Sequence, residues 1–230
     1  MNVEILQLVE GARKAQGLAV VIDVFRAFSL EPYLFSRGAV AIHPVGDISE
    51  AYRLKQDNPS FLLVGERNER MPEGFDFGNS PHHSLQHKVA GKTIVHTTSA
   101  GTQGIVNAVN ADEIITGSFV NAGAIVSYIR QRQPAHVSLC CMGYAAQCPS
   151  EEDTLCAEYI KASLEGGSPD FDAMVKIMRE TAGSRFFIPE NQWYAPQEDF
   201  YLCTKLSIFD FILKVSSQDG KRITTRVDIC

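Results

Sequence analysis

Along the first two thirds of the chain, short apolar runs alternate with segments whose apolar positions recur at helical spacing. The runs cover residues 18–24 (LAVVIDV), 40–44 (VAIHP), 61–65 (FLLVG), 93–98 (TIVHTT), 113–117 (EIITG) and 136–142 (HVSLCCM). Most are unbroken instead of alternating, the pattern of strands covered on both faces. Between them the sequence predicts helices over 27–37, 49–56, 102–109, 120–131 and 150–164, the first closed by Gly38 and the fourth followed by Pro134. Strand–helix–strand repetition of this kind predicts an α/β fold, a largely parallel sheet sandwiched by helices.

The remainder, 166–230, is less regular. A helix over 171–181 leads to an aromatic stretch (RFFIPENQWYAP), then to FDFILKV and RITTRV around SSQDGK, which reads as a hairpin with a loop. Neither a linker nor an internal repeat breaks the chain, so one domain over 1–230 is expected. Residues 66–84 (ERNERMPEGFDFGNSPHHS) lack periodicity, which inside a compact domain marks a functional loop or disorder.

Composition then removes several classes of function. With 230 residues, 45% hydrophobic and 21% charged, the chain is an ordinary globular sequence and not a disordered one. A net charge of −6 without any Lys/Arg block gives no electrostatic footprint for nucleic acid. No apolar run approaches the roughly 20 residues that cross a bilayer, so no membrane span is expected. The N-terminal MNVEILQLVEG lacks a basic region and a cleavage site, which argues against a signal peptide. Six cysteines (Cys140, Cys141, Cys148, Cys156, Cys203, Cys230) without a CxxC pair read as reduced thiols, which places the protein in the cytoplasm.

In parallel sheets, ligands bind beyond the carboxyl ends of the strands. The residues following the predicted strands include Asp23 and Arg26, Glu66 and Arg67, the stretch Thr97-Thr98-Ser99-Ala100-Gly101-Thr102, Asn121, and Glu151-Glu152-Asp153. Arg26 and Arg67 offer planar forks suited to phosphate or sulfonate. The Ser/Thr/Gly stretch leads into a helix whose first N–H groups would face an oxyanion; ordinary capping is its plainer reading. The carboxylates Asp23, Glu66, Glu152 and Asp153 are hard oxygen donors of the kind Mg²⁺ takes. Most also have a structural explanation: Asp23 could cap the next helix, and Glu152 and Asp153, as acids in a first turn, complement its dipole. His82, His83 and His87 read as solvated histidines, and Cys148 is the one thiol beside the expected site. Trp193, Tyr194, Phe186 and Phe187 read as a satellite core, with a lid or dimer contact as the alternative.

The segments VVIDVFRA, LLVGERN…GFDFGNSP, TIVHTTSAGTQG, GSFVNA and PSEEDTLCAEYI resemble, in order and spacing, the motifs of the 2-phosphosulfolactate phosphatase family. The resemblance spans about residues 18–165. It implies a three-layer α/β/α architecture with a mostly parallel, mixed sheet. The implied activity is Mg²⁺-dependent hydrolysis of 2-phospho-3-sulfolactate to 3-sulfolactate and phosphate, a step toward coenzyme M. Carried onto this chain, it implies a site of Asp23, Arg26, Glu66, Arg67, Asn79, Ser80, Thr97, Thr98, Gly101, Thr102, Asn121, Glu152 and Asp153. Two departures stand out: Phe25-Arg26-Ala27-Phe28-Ser29 replaces a Thr-rich LRATTT, and Ala100 occupies the Asn position of TTxNGT.

These readings combine into one expected mechanism. Mg²⁺, held by Asp23, Glu152 and Asp153, polarises the phosphoryl group. Arg26 and Arg67 divide the phosphate and the second acid group, N–H groups from Ser99 to Thr102 take the remaining oxygens, and water attacks in line. An aspartyl-phosphate on Asp23 is the rival route; enzymes using it carry a second Asp two residues on, where this chain has Phe25. Two alternatives keep the site but change its use: another 2-phospho acid as substrate, or a non-catalytic binder of a small dianion. A homodimer is the base-rate expectation.

Overall fold

The computed structural model describes residues 1–229, so Cys230 lies outside the described residues. In chain order its elements are β1 (Asn2–Gln7), α1 (Leu8–Lys14), β2 (Leu18–Ile22), α2 (Ala27–Ser36), β3 (Ala41–Pro44), α3 (Ile48–Asp57), β4 (Leu62–Gly65) and α4 (Pro81–Ser84). They continue with β5 (Thr93–Thr97), α5 (Gly101–Asn107), β6 (Glu113–Gly117), α6 (Ala122–Arg132), β7 (His136–Cys141) and α7 (Glu151–Leu164). The last are α8 (Phe171–Glu180), α9 (Gln197–Cys203), β8 (Phe211–Gln218) and β9 (Lys221–Asp228), with short 3₁₀ turns at Phe119–Asn121, Ala182–Phe187 and Pro189–Asn191.

All six apolar runs are strands, and β2 is buried along its whole length. The protein is an α/β fold with one mixed sheet in the order β1-β7-β2-β6-β8-β9-β3-β5-β4. Strands β1, β7, β2 and β6 are mutually parallel, as are β3, β5 and β4. The β8–β9 hairpin lies between these blocks and pairs antiparallel with both, so the second block runs opposite to the first. In a flat sheet the carboxyl ends of the two blocks would lie on opposite edges. They meet instead, because a Cβ added to Gly101 beyond β5 would stand 2.8 Å from Asp23 Oδ2 beyond β2. The sheet therefore bends between the blocks, next to a narrow β9–β3 junction registered at Ile42–Thr224.

Helices that leave one block pack on the other. Leu30, Leu34 and Phe35 of α2 join a core with Ile42 of β3, Ile94 of β5 and Leu213 of β8. Reciprocally, Ile105 of α5 joins Ala19 and Val21 of β2 and Cys140 of β7. Helix α2 tolerates Pro32 because the Phe28 carbonyl, deprived of its N–H partner, accepts the Ser118 hydroxyl at 3.0 Å.

Four elements escape the sequence pattern: β1, α1, α9 and the four-residue α4 within the stretch read as aperiodic. Strand β1 is a half-exposed edge strand with polar residues interspersed. Helix α1 has only seven residues around Gly11, and α9 has seven with no side-chain cap. The hairpin loop is shorter than SSQDGK suggests. Its strands run to Gln218 and from Lys221, and the turn is Asp219-Gly220, both at positive φ as a tight hairpin turn requires. Among the described residues, no helix is long and apolar enough to cross a membrane.

Candidate functional site

A cleft of about 180 Å³ opens where the carboxyl ends of the two blocks converge. Its lining draws on the segments after β2 (Asp23, Phe25, Arg26), after β4 (Glu66, Asn68, Glu69), after β5 (Ser99, Ala100) and after β7 (Gly143, Tyr144), and on Glu152 and Asp153 of α7. Asn79 and Arg185 also line it. Of the residues expected from the sequence, the structure brings Asp23, Arg26, Glu66, Asn79, Ser99, Glu152 and Asp153 together here.

Asp23 emerges from buried β2, and its Oδ1 accepts the Ala27 N–H at 3.1 Å, so the capping role and the cleft position coexist. Burial is the main reason its carboxyl is pushed up to about 7; the Ala27 N–H opposes this, and Glu66 and Glu152 reinforce it. Asp153 joins two loops: Oδ1 accepts from Val24 N and Oδ2 from Gly143 N, each at 2.8 Å. Burial, with Glu152 and Asp23 adding to it, holds its carboxyl well above the usual range. Glu152 is also raised, by burial first and against the pull of Arg185, and its Oε2 is buried with no hydrogen-bond partner.

Glu66 stitches two loops. Its Oε1 accepts from Ser99 N at 2.6 Å, and its Oε2 accepts from the Ser99 hydroxyl at 3.1 Å and from Glu69 N at 2.8 Å. The chain reaches this position through Gly65 at φ +137°, where a Cβ would lie 1.9 Å from Thr97 O. Only glycine fits there. Asn79 offers Oδ1 to His96 Nε2 at 3.0 Å, and His96 Nδ1 meets Glu31 Oε1 at 2.8 Å. Arg26 donates through Nη1 to Asp199 Oδ2 at 2.8 Å and to Tyr194 O at 2.5 Å. Its peptide bond to Phe25 is cis.

The other expected residues are turned to different tasks. Arg67 does not line the cleft: its guanidinium donates to Glu66 O, Gly46 O and the Thr97 hydroxyl. Thr97 is occupied by that contact. Thr98 and Thr102 cap each other: the Thr98 hydroxyl accepts from Thr102 N, and the Thr102 hydroxyl accepts from Thr98 N. Gly101 lies behind Asp23, where it leaves room for the carboxylate. Ser80 caps α4 and donates to Asp199 Oδ1, and Asn121 closes the capping box of the 119–121 turn. Of the N–H groups expected at an oxyanion, Ser99 is spent on Glu66 and Thr102 on Thr98, which leaves Ala100 and Gly101.

Arg185 is the residue that sequence reasoning missed. It sits in the aromatic stretch, where charge spacing gives no signal, and only the return of that stretch onto the sheet carries it to the cleft. Phe186 beside it is core, as expected. Trp193 is not: it is 68% exposed and lies against the Arg70 guanidinium, 4.7 Å from ring centre to Cζ. Cys140, Cys141, Cys156 and Cys203 are buried, with the Cys140 thiol pushed up to about 12, while Cys148 is exposed but does not line the cleft.

The donors suit one kind of cation. Among the described residues, no three His, Cys, Asp or Glu side chains converge as a ligand cage, and His82, His83 and His87 are no exception. Mg²⁺ needs no such cage, because it takes one or two carboxylates and completes its shell with waters and phosphate oxygens. The partnerless Glu152 Oε2, buried near Asp23 and Asp153, fits that demand.

Comparison with known proteins places the chain in a family. The family model described as 2-phosphosulpholactate phosphatase matches residues 4–218. The probable 2-phosphosulfolactate phosphatase of Bacillus subtilis is 32% identical over 205 residues, 88% of each chain. That of Thermotoga petrophila is 41% identical over 143 residues, 62% of this chain and 61% of the relative. That of Caldicellulosiruptor saccharolyticus is 42% identical over 157 residues, 66% of this chain and 64% of the relative. The matched part thus spans less than two thirds of the last two relatives. With the family model covering nearly the whole chain, this protein belongs to the 2-phosphosulfolactate phosphatase family, a family of phosphoric monoester hydrolases.

Proposed function

We propose that the protein is a Mg²⁺-dependent phosphatase of a small phosphorylated acid, with 2-phospho-3-sulfolactate as substrate and 3-sulfolactate and phosphate as products. The observation that carries this reading is the meeting of Asp23, Glu152 and Asp153 with two arginines in one small cleft. A non-catalytic dianion binder has no use for those carboxylates, which would repel its ligand. The cleft volume, about 180 Å³, suits a small acid. The whole chain, 1–230, acts as one domain in this reading, since Arg185 and Asp199 from its last third complete and brace the site.

Of Asp23, Glu152 and Asp153, one or two would hold Mg²⁺, and the ion would supply Lewis-acid neutralisation of the phosphoryl oxygens when bound. The protein's own groups do the positioning. Arg26, fixed by Asp199, presents the rest of its fork to the phosphate. The Asn79 amide, tethered through Oδ1 to His96, offers its N–H₂ to the cleft. Glu66 holds the loops after β4 and β5 in register, and Arg67 supports it from outside the cleft. Water attacks phosphorus in line, the phosphorus–ester oxygen bond breaks, and the alcohol oxygen leaves with a proton. The free cysteines fit a reducing cytoplasm.

The test is inorganic phosphate released from 2-phospho-3-sulfolactate and a panel of 2-phospho acids, with Mg²⁺ and then with EDTA. Metal-dependent release with preference for the sulfonate is the expected result. Preference for a phosphocarboxylate would keep the chemistry and replace the substrate. No release from any ester, with tight dianion binding retained, would overturn the enzyme in favour of the binder.

A further inference from the structure

The phosphatase reading asks the cleft to hold a substrate with a second acid group beside its phosphate. The expected cation for that group, Arg67, is spent outside the cleft on Glu66 O, Gly46 O and Thr97 Oγ1. Five carboxylates, Asp23, Glu66, Glu69, Glu152 and Asp153, line the cleft against two arginines, Arg26 and Arg185. Arg26 is anchored in a buried pair with Asp199 and is the cation set for the phosphate.

Arg185 is built differently. Its Nε lies 3.2 Å from Glu69 Oε1 as an ion pair, and its Nη2 donates to Phe25 O at 3.1 Å, which leaves most of the five N–H bonds of a guanidinium uncommitted. Its side chain is 19% exposed and that of Glu69 24%, so both reach solvent at the cleft, unlike the sealed Arg26–Asp199 pair. Glu69 is held at φ +65°, a left-handed conformation uncommon outside glycine, and its N–H is bound to Glu66 Oε2. Its backbone is fixed there while its carboxylate sits at the edge of the cleft.

We propose that Arg185 binds the second acidic group of the substrate, a carboxylate or sulfonate, and that Glu69 is the internal carboxylate which that group displaces. Exchange of one oxyanion for another keeps the guanidinium paired at every stage. It also replaces a single Nε contact with the two-pronged one that a free acid group can make. A phosphate ester without a second acid group leaves the Glu69–Arg185 pair closed, and this selects for 2-phospho acids. The proposal rests on the phosphatase reading above.

The experiment compares kcat/KM for 2-phospho-3-sulfolactate, 2-phospholactate and ethyl phosphate in the wild type, R185Q, R185K and E69Q. R185Q is expected to lower the selectivity for a 2-phospho acid over ethyl phosphate by about 10- to 100-fold, with R185K recovering part of it. Loss with both acids marks the carboxylate as the bound group; loss with the sulfolactate ester alone marks the sulfonate. Selectivity within threefold of the wild type would overturn the proposal. Should R185Q fail to fold, E69Q decides: removal of the competing charge is expected to raise selectivity at least threefold, and an unchanged ratio overturns the proposal. Should the wild type hydrolyse neither ester, the phosphatase reading falls separately. Calorimetric binding of 3-sulfolactate then decides the subsite, with binding lost in R185Q supporting it and equal or absent binding overturning it.

Discussion

Arg26 and Asp199 form an ion pair of 2.8 Å, with side chains 5% and 0% exposed, although 173 positions separate them in sequence. Asp199 also accepts from the Ser80 hydroxyl at 2.8 Å and from His82 N at 2.9 Å. One carboxylate thus ties the segment after β2, the start of α4 and α9 together behind the cleft. Removing one partner of a buried pair strands the other charge, at a cost of about 3–5 kcal/mol. Asp199→Ala is expected to lose stability of that order in urea unfolding. A loss below about 1 kcal/mol would mean that Arg26 is compensated by some other contact.

Gly101 is expected to be intolerant of a single added methyl. A Cβ there would press on Asp23 Oδ2 at 2.8 Å, on Ala27 Cβ at 3.0 Å and on Phe28 at 3.1 Å. Asp23 must move, and displacements near 1 Å in a reacting constellation cost about 100-fold. Gly101→Ala should therefore lower phosphate release by that factor while far-ultraviolet circular dichroism stays native. Full activity in a folded variant would show that Asp23 has room to spare.

The buried carboxylates set a pH dependence whose sign follows from burial. Asp23 binds its proton up to about 7 in the folded state, against 3.8 for an exposed aspartate. Between those values the native state holds more protons than the unfolded one, so stability falls as pH rises. The contribution is whole below about 4, is lost across the interval, and is level above about 7. One such proton gives a slope of about 1.4 kcal/mol per pH unit at most. Metal-free protein should therefore show a falling urea midpoint over this window, and Asp23→Asn should flatten it. A wild-type-minus-variant difference independent of pH would refute the burial of this charge.

Direct water attack and an aspartyl-phosphate make different demands on Asp23. In the first, Asp23→Asn raises the Mg²⁺ needed for half-maximal turnover at least tenfold, and turnover persists at saturation; that outcome is expected. In the second, turnover vanishes at any Mg²⁺ concentration, and mass spectrometry finds phosphate on Asp23 in the quenched wild type.

The cation–π stack of Arg70 on Trp193 and Tyr194, with Cζ 4.7 and 3.2 Å from the ring centres, links the loop after β4 to the aromatic stretch. Such contacts are worth about 0.5–1 kcal/mol when exposed. Arg70→Ala should cost no more than that, yet change the emission of Trp193, the one tryptophan of the chain. An unchanged spectrum would mean that the stack does not persist in solution.

Periodicity was enough to read most strands and most of the longer helices, because an unbroken apolar run such as 18–22 can satisfy its surface only between two layers. It failed where an element is short or half-exposed, as in β1 and α1, since a few residues at an edge carry no stripe. Asp23, Glu66 and Ser99 were legible as cleft residues because strand ends were the places to look, whereas Glu152, whose plainer reading was a first-turn acid, came through the family resemblance. Arg67 was misplaced by the same logic: it follows Glu66 directly, but its side chain turns to Gly46 and Thr97 on the outside.

The sequence by itself thus determined the α/β class, the order of its longer elements and the set of strand-end residues from which a site could be made. Those are local properties, set by side-chain type and spacing. The tertiary structure alone decided that two oppositely running blocks meet at their carboxyl ends, and which strand-end side chains face the cleft. It alone decided that Arg185 and Asp199, from a stretch without chemical signature, supply one cation and brace the other. These are long-range properties. They depend on how the sheet bends and on which carboxylate each arginine can reach, and no periodicity along the chain encodes either.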